Sequence, residues 1–174
     1  TRIMASKLKT DILETVSGSG TIALTNQLSG MTSASLPSGS MLQIVQASAT
    51  TRNVTTSTSY VATGHSVTIT PSSTSSKILI LHQGMLNIQA SSQFHRATLY
   101  RGSTNLGDGT DDTMGAIYVN GATDTHAPVT FNYLDSPSTT NATTYQIYHK
   151  VSGGTGRYNG NVFKLNMIAI EIKG

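Results

Sequence analysis

Beyond residue 40 the chain is a succession of short stretches in which apolar and polar residues alternate, the two-residue period of a half-buried β-strand. Residues 41–46, 67–69, 94–100, 116–119, 129–134 and 144–151 all read this way. In the last of these, Tyr145, Ile147, His149 and Val151 share one face and Tyr148 takes the other. Residues 77–81 are almost wholly apolar, a buried type of strand that runs on past Gly84 to Ile88. Residues 162–172 close the chain. Within them Met167–Ile172 is so rich in apolar, β-branched side chains that it predicts a central strand covered on both faces. Turn-forming clusters separate the runs: Pro71–Ser76, Arg101–Ser103, the loop Leu106–Asp112, and Ser152–Gly156. The Asn120-Gly121 dipeptide predicts a hairpin. About eight to ten short strands with frequent turns, and no helical period after residue 40, predict an all-β fold. The strand number suits a jelly-roll-like antiparallel β-sandwich over residues 41–174.

Residues 1–40 are patterned differently. Leu8, Ile12 and Val16 have helical spacing, but with Thr10 and Glu14 they also fit one face of a strand. The Thr content and the Ser17–Gly20 punctuation favour extended chain, followed by a short strand at Thr21–Thr25 and an aperiodic linker at Gly30–Gly39. So short and polar a segment cannot build its own core. It predicts an extended N-terminal arm that anchors or intertwines by strand addition. Leu8, Ile12, Val16, Ile22, Leu24 and Leu28 would supply the apolar burial, against neighbouring subunits or a larger docking protein. On the sandwich itself, Ile168 and Ile170 are the expected oligomerisation residues.

Composition narrows the function. Of 174 residues 49 are Ser or Thr, and only 11% are charged. Such a surface is covered by hydroxyls and amides, which cost far less to bury than ions, so it suits packing between identical copies. There is no Cys, which excludes a disulfide scaffold and thiolate metal sites. No apolar run approaches the length of a transmembrane helix, so no membrane insertion is expected. The net charge is +3, and the 11 Lys and Arg are scattered rather than clustered. A nucleic-acid partner is therefore not expected.

Candidate chemistry is sparse. His65, His82, His95, His126 and His149 show no metal-ligand spacing, although His82 and His95 could meet across strands or around a threefold axis. Asp108–Asp112 lacks the terminal carboxylate of a calcium loop and reads as a solvated turn. No nucleophile, base and orienting group can be assembled, so no enzyme, cofactor or metal is expected. Seven Tyr remain. Tyr118, Tyr148 and Tyr158, near loop ends or on the outward strand face, are the candidate receptor contacts, because a tyrosine presents an apolar ring and a polar tip together.

The segment Lys9–Gly39 resembles the amino-terminal segment of small virion structural proteins of marine tailed bacteriophages, of tail fibre or appendage type. Ile69–Ile80 is similar to a strand-turn-strand signature in the same proteins. The two stretches cover about a quarter of the chain. Met4 looks like the usual start of such proteins, which leaves Thr1–Ile3 upstream of it. The resemblance implies a homotrimeric virion component whose carboxy-terminal domain is a trimeric jelly-roll of the tumour-necrosis-factor and C1q type. A tail fibre or appendage subunit contributing to host attachment, with a host surface glycan or protein as partner, is the leading expectation. A capsid decoration protein, or head fibre, projecting from the shell is the second. A particle-borne carbohydrate-active enzyme is the third.

Overall fold

The computed structural model describes residues 35–108, 110–121 and 124–174. The arm residues Leu8, Ile12, Val16, Ile22, Leu24 and Leu28 lie outside the described residues.

The alternating runs become strands β1 (Met41–Ala49), β2 (Asn53–Thr55), β3 (Val61–Ile69), β4 (Lys77–Gln89), β5 (Gln93–Arg101), β6 (Thr104–Asn105), β7 (Gly115–Val119), β8 (Thr125–Asp135), β9 (Thr143–Val151), β10 (Thr155–Tyr158) and β11 (Leu165–Ile172). A 3-10 turn, Thr110–Asp112, lies between β6 and β7. All described pairings are antiparallel. Setting aside the short β2, β6 and β10, the long strands lie in the orders β1-β11-β4-β8 and β3-β9-β5-β7. That is the jelly-roll arrangement of two facing sheets. The first sheet also carries β10 on β4 and β2 on β10.

The core follows from the period of two. Ile78, Ile80 and Leu86 of β4, Phe131 of β8, and Met167 and Ala169 of β11 face Val67 and Ile69 of β3, Leu99 of β5, and Tyr145 and Ile147 of β9. Two buried carboxylates close one end. Asp135 accepts from Arg101 Nη1 at 2.8 and 2.9 Å and from the Tyr145 hydroxyl at 2.6 Å, which ties β8 in one sheet to β5 and β9 in the other. Glu171 accepts from Ser72 N and Oγ and Ser76 Oγ at 2.6–2.7 Å, and from Gln43 Nε2 at 2.6 Å. Burial raises its pKa, but the four donors outweigh burial and hold it below the usual carboxylate value.

Three expectations need correction. Asn120-Gly121 does not close a hairpin: β7 pairs with β5 and β8 with β4, so the turn carries the chain from one sheet to the other. Ser152–Gly156 is not wholly a turn, because Thr155 and Gly156 already pair with Gln89 and Ile88 in β10. The last strand is central, between β1 and β4, but only Leu165, Met167, Ala169 and Glu171 are buried on its inner side. Ile168 and Ile170 lie on the outer face, half-buried.

Candidate functional surfaces and a buried histidine cluster

Alternation gives each sheet an outer face, and the two faces differ chemically. On the second sheet, β5 presents Phe94, Arg96 and Tyr100, and β9 presents Tyr148 and Lys150. Register sets Phe94 opposite Tyr118 of β7, and Arg96 opposite Lys150. The rings of Phe94 and Tyr118 lie 4.6 Å apart, and those of Tyr100 and Tyr148 stack at 4.0 Å. The Arg96 guanidinium lies over Phe94 at 4.2 Å, and the Lys150 ammonium over Tyr60 at 4.5 Å. Arg96 also pairs with Asp111 at 2.9 Å. The result is an aromatic strip with two cations in it, where each cation is held by the ring quadrupole.

Of the three expected contact residues, Tyr118 (50% exposed) and Tyr148 lie on this strip. Tyr158 does not. It is 0% exposed and belongs to the interior, because β10 turns its ring inward between the sheets.

There Tyr158 stands amid four histidines. His65 and His149 ring centroids lie 5.2 and 6.1 Å from its own, and its hydroxyl is 2.9 Å from His82 Nε2. Gly84 makes room for it: a Cβ at that position would lie 1.9 Å from the hydroxyl oxygen. His65 points inward by the alternation of β3, on a face with Thr63, Val67 and Ile69, within a bulge where Ala62 pairs with Tyr148 and Ser66 with Gln146. Thr63, Gly64 and His65 therefore stand opposite Ile147 alone, with Gly64 at a φ of 82° that favours glycine.

Hydrogen bonds fix the protons. His82 Nδ1 donates to the Asn166 carbonyl, which leaves Nε2 to accept from the Tyr158 hydroxyl. His95 Nδ1 donates to the Asn87 carbonyl, and His149 Nδ1 then donates to His95 Nε2 at 2.9 Å. Asn53 Oδ1 lies 2.7 Å from His149 Nε2; turning that amide over, so that its nitrogen donates there, lets two neutral imidazoles satisfy the whole chain of contacts. His65 Nε2 donates to the Thr51 carbonyl, and its buried Nδ1 has no partner. Burial lowers the pKa of all four, to about 4 for His82 and His95 and about 3 for His149. Neighbouring histidines lower His82 and His149 further. No carboxylate is within hydrogen-bond reach of these rings among the described residues.

The cluster is a buried, hydrogen-bonded part of the core. Among the described residues no group of three or more His, Cys, Asp or Glu is placed to hold an ion. The expected meeting of His82 with His95 is replaced by His82 with Tyr158 and His95 with His149. His126 lies apart, on the outer side of β8 beside Asn87 and Asp124. In the 108–112 loop, Asp111 turns to Arg96. Sequence reasoning missed Phe94, Arg96, Lys150 and Tyr60. The alternation in β5 and β9 carried the signal, since it puts Phe94 and Arg96 on one side and Tyr148 and Lys150 on one side.

No family model matches the chain, and no curated protein matches it. Among solved structures, a chain from infectious bursal disease virus, Gt strain, is similar at 11% identity and TM-score 0.46, over 88% of this chain and 43% of that one. A chain of the infectious bursal disease virus VP2 subviral particle is similar at 12% identity and TM-score 0.40, over 76% and 37%. A chain of the disulfide-linked pili of Bacillus endospore appendages is similar at 14% identity and TM-score 0.32, over 82% and 98%. The chain thus spans less than half the length of the two viral chains. At these scores none of them assigns it a function.

Proposed function

We propose that the chain is a bacteriophage virion structural protein, a homotrimeric tail fibre or appendage subunit held to the particle by residues 1–40 and contributing to host attachment. The observation that carries this reading is the aromatic and cationic strip on the second sheet. On a chain with only 11% charged residues, Arg96 and Lys150 are set among Phe94, Tyr118, Tyr60, Tyr100 and Tyr148. A sugar ring lies well on a tyrosine or phenylalanine face, and an acidic substituent on a guanidinium or ammonium beside it. A host surface glycan bearing acidic groups is the partner this chemistry fits. Three copies on one trimer turn a weak contact into a strong one, through effective concentration.

The test is host-cell binding by purified full-length chain, with Tyr118→Ala/Lys150→Ala beside wild type. Loss of binding with unchanged circular dichroism is expected, and equal binding would refute the strip as the contact. Electron microscopy of particles with a labelled subunit reads its place. Label on the tail fits this proposal, and label over the head shell would make the chain a capsid decoration protein instead.

A further inference from the structure

The outer face of the first sheet is the chemical converse of the strip. Register aligns Ile44, Ile170, Leu79 and Leu134 in one row across β1, β11, β4 and β8. The next row is Gln46, Ile168, Leu81 and Asn132. Ile44 and Leu134, at the two flanks, are 58% and 50% exposed. Farther along, beyond a polar row with Gln83 and Thr130, a groove of about 300 Å³ is lined by Met85, Pro128 and Phe163 together with Gln83, Asn166 and Lys164. Neither of the two central rows holds a charged side chain; Lys77 stands at one corner, and Arg157, Asp124 and His126 gather at the far end near Asn87.

We propose that this face is where copies of the chain pack against one another. The proposal rests on the homotrimer in the reading above and names the surface that builds it. Charge selects the occupant. Copies meeting through the second sheet would bury Lys150 and the Arg96–Asp111 ion pair, at a cost in desolvation and like-charge contact, whereas the central rows of the first sheet face an identical surface without charges. Area is of the right order. Four strands about 4.8 Å apart and four outward rows about 6.8 Å apart give a flat face of roughly 520 Å², which includes the polar positions Ser48, Asn166, Gln83 and Thr130. That is about two-thirds of the roughly 800 Å² per partner of a stable interface. With the first sheets turned toward each other, the aromatic strip of every copy points outward.

The chain has no cysteine, so single thiols report the interface directly. Full-length Ile44→Cys, Leu134→Cys and Tyr118→Cys would be reacted with a maleimide at concentrations above and below assembly, with native mass spectrometry giving the copy number. Thiols at 44 and 134 should be protected in the trimer and reactive in the monomer, and the thiol at 118 reactive in both. Ile44→Lys/Leu134→Lys, at positions exposed in the single chain, should weaken association at least about tenfold with the fold intact. Equal labelling at all three sites in a trimer would overturn the proposal and leave the homotrimer standing. Protection at 44 and 134 that persists in the monomer would also overturn it. A wild-type chain that stays monomeric at high concentration would overturn the homotrimer as well.

Discussion

Acid should unfold this sandwich over a pH range set by its interior. His82 and His95 go from 6.5 in the unfolded chain to about 4 in the folded one. Each fall corresponds to about 3 kcal/mol of preference for the neutral ring. His149 falls to about 3 but shares its proton link with His95, so the two act as a pair. Because the folded pKa values are depressed, the unfolded chain binds more protons than the native one between pH 6.5 and about 4. The contribution is therefore complete above pH 6.5 and is lost as the pH falls through that window. Three rings neutral in the fold and charged outside it give a slope of up to about 4 kcal/mol per pH unit. At pH 5, His82 and His95 alone remove about 4 kcal/mol, a large part of the roughly 5–15 kcal/mol that holds a domain together. Urea unfolding followed by circular dichroism at pH 7, 6 and 5, at one protein concentration, should show the midpoint dropping steeply. His82→Gln should flatten the slope by about 1.4 kcal/mol per pH unit. A midpoint unchanged from pH 7 to 5 would mean that the histidines are open to water, and the buried cluster as described would be wrong.

Two further perturbations follow from the same interior. Gly84→Ala puts a methyl group where the Tyr158 hydroxyl stands and should cost about 1–3 kcal/mol, read as a lower urea midpoint at unchanged slope. Asp135→Ala strands Arg101 and the Tyr145 hydroxyl and should cost about 3 kcal/mol; a melting temperature within a degree of wild type would refute the pair as a tie between the sheets.

The sandwich was legible wherever side chains alternate, because that period needs only one covered face. Residues 77–88 and 144–151 both become strands close to their expected bounds. β2 and β10 were not legible. Each is four residues or fewer, and β10 is half glycine and threonine, so pairing with β4 rather than local preference makes it a strand. Tyr158 was misplaced for the same reason: its nearness to Gly156 and Gly160 suggests a loop end, and only the tertiary register of β10 with β4 turns it inward. The histidines were readable as strand residues, since His149 shares a face with Tyr145, Ile147 and Val151. Their contacts were not, because they join residues 54 and 76 positions apart, and His65 sits in a bulge whose two extra residues no local pattern announces.

Among the described residues β8 pairs only with β4, so its other side offers unpaired backbone groups along eleven residues. An alternating segment such as Val129–Leu134 on an open edge is a template on which foreign strands can add without limit. Pro128, with no N–H to give, sits within this edge opposite Met85. It acts as a gatekeeper that breaks the ladder and discourages growth into fibrils.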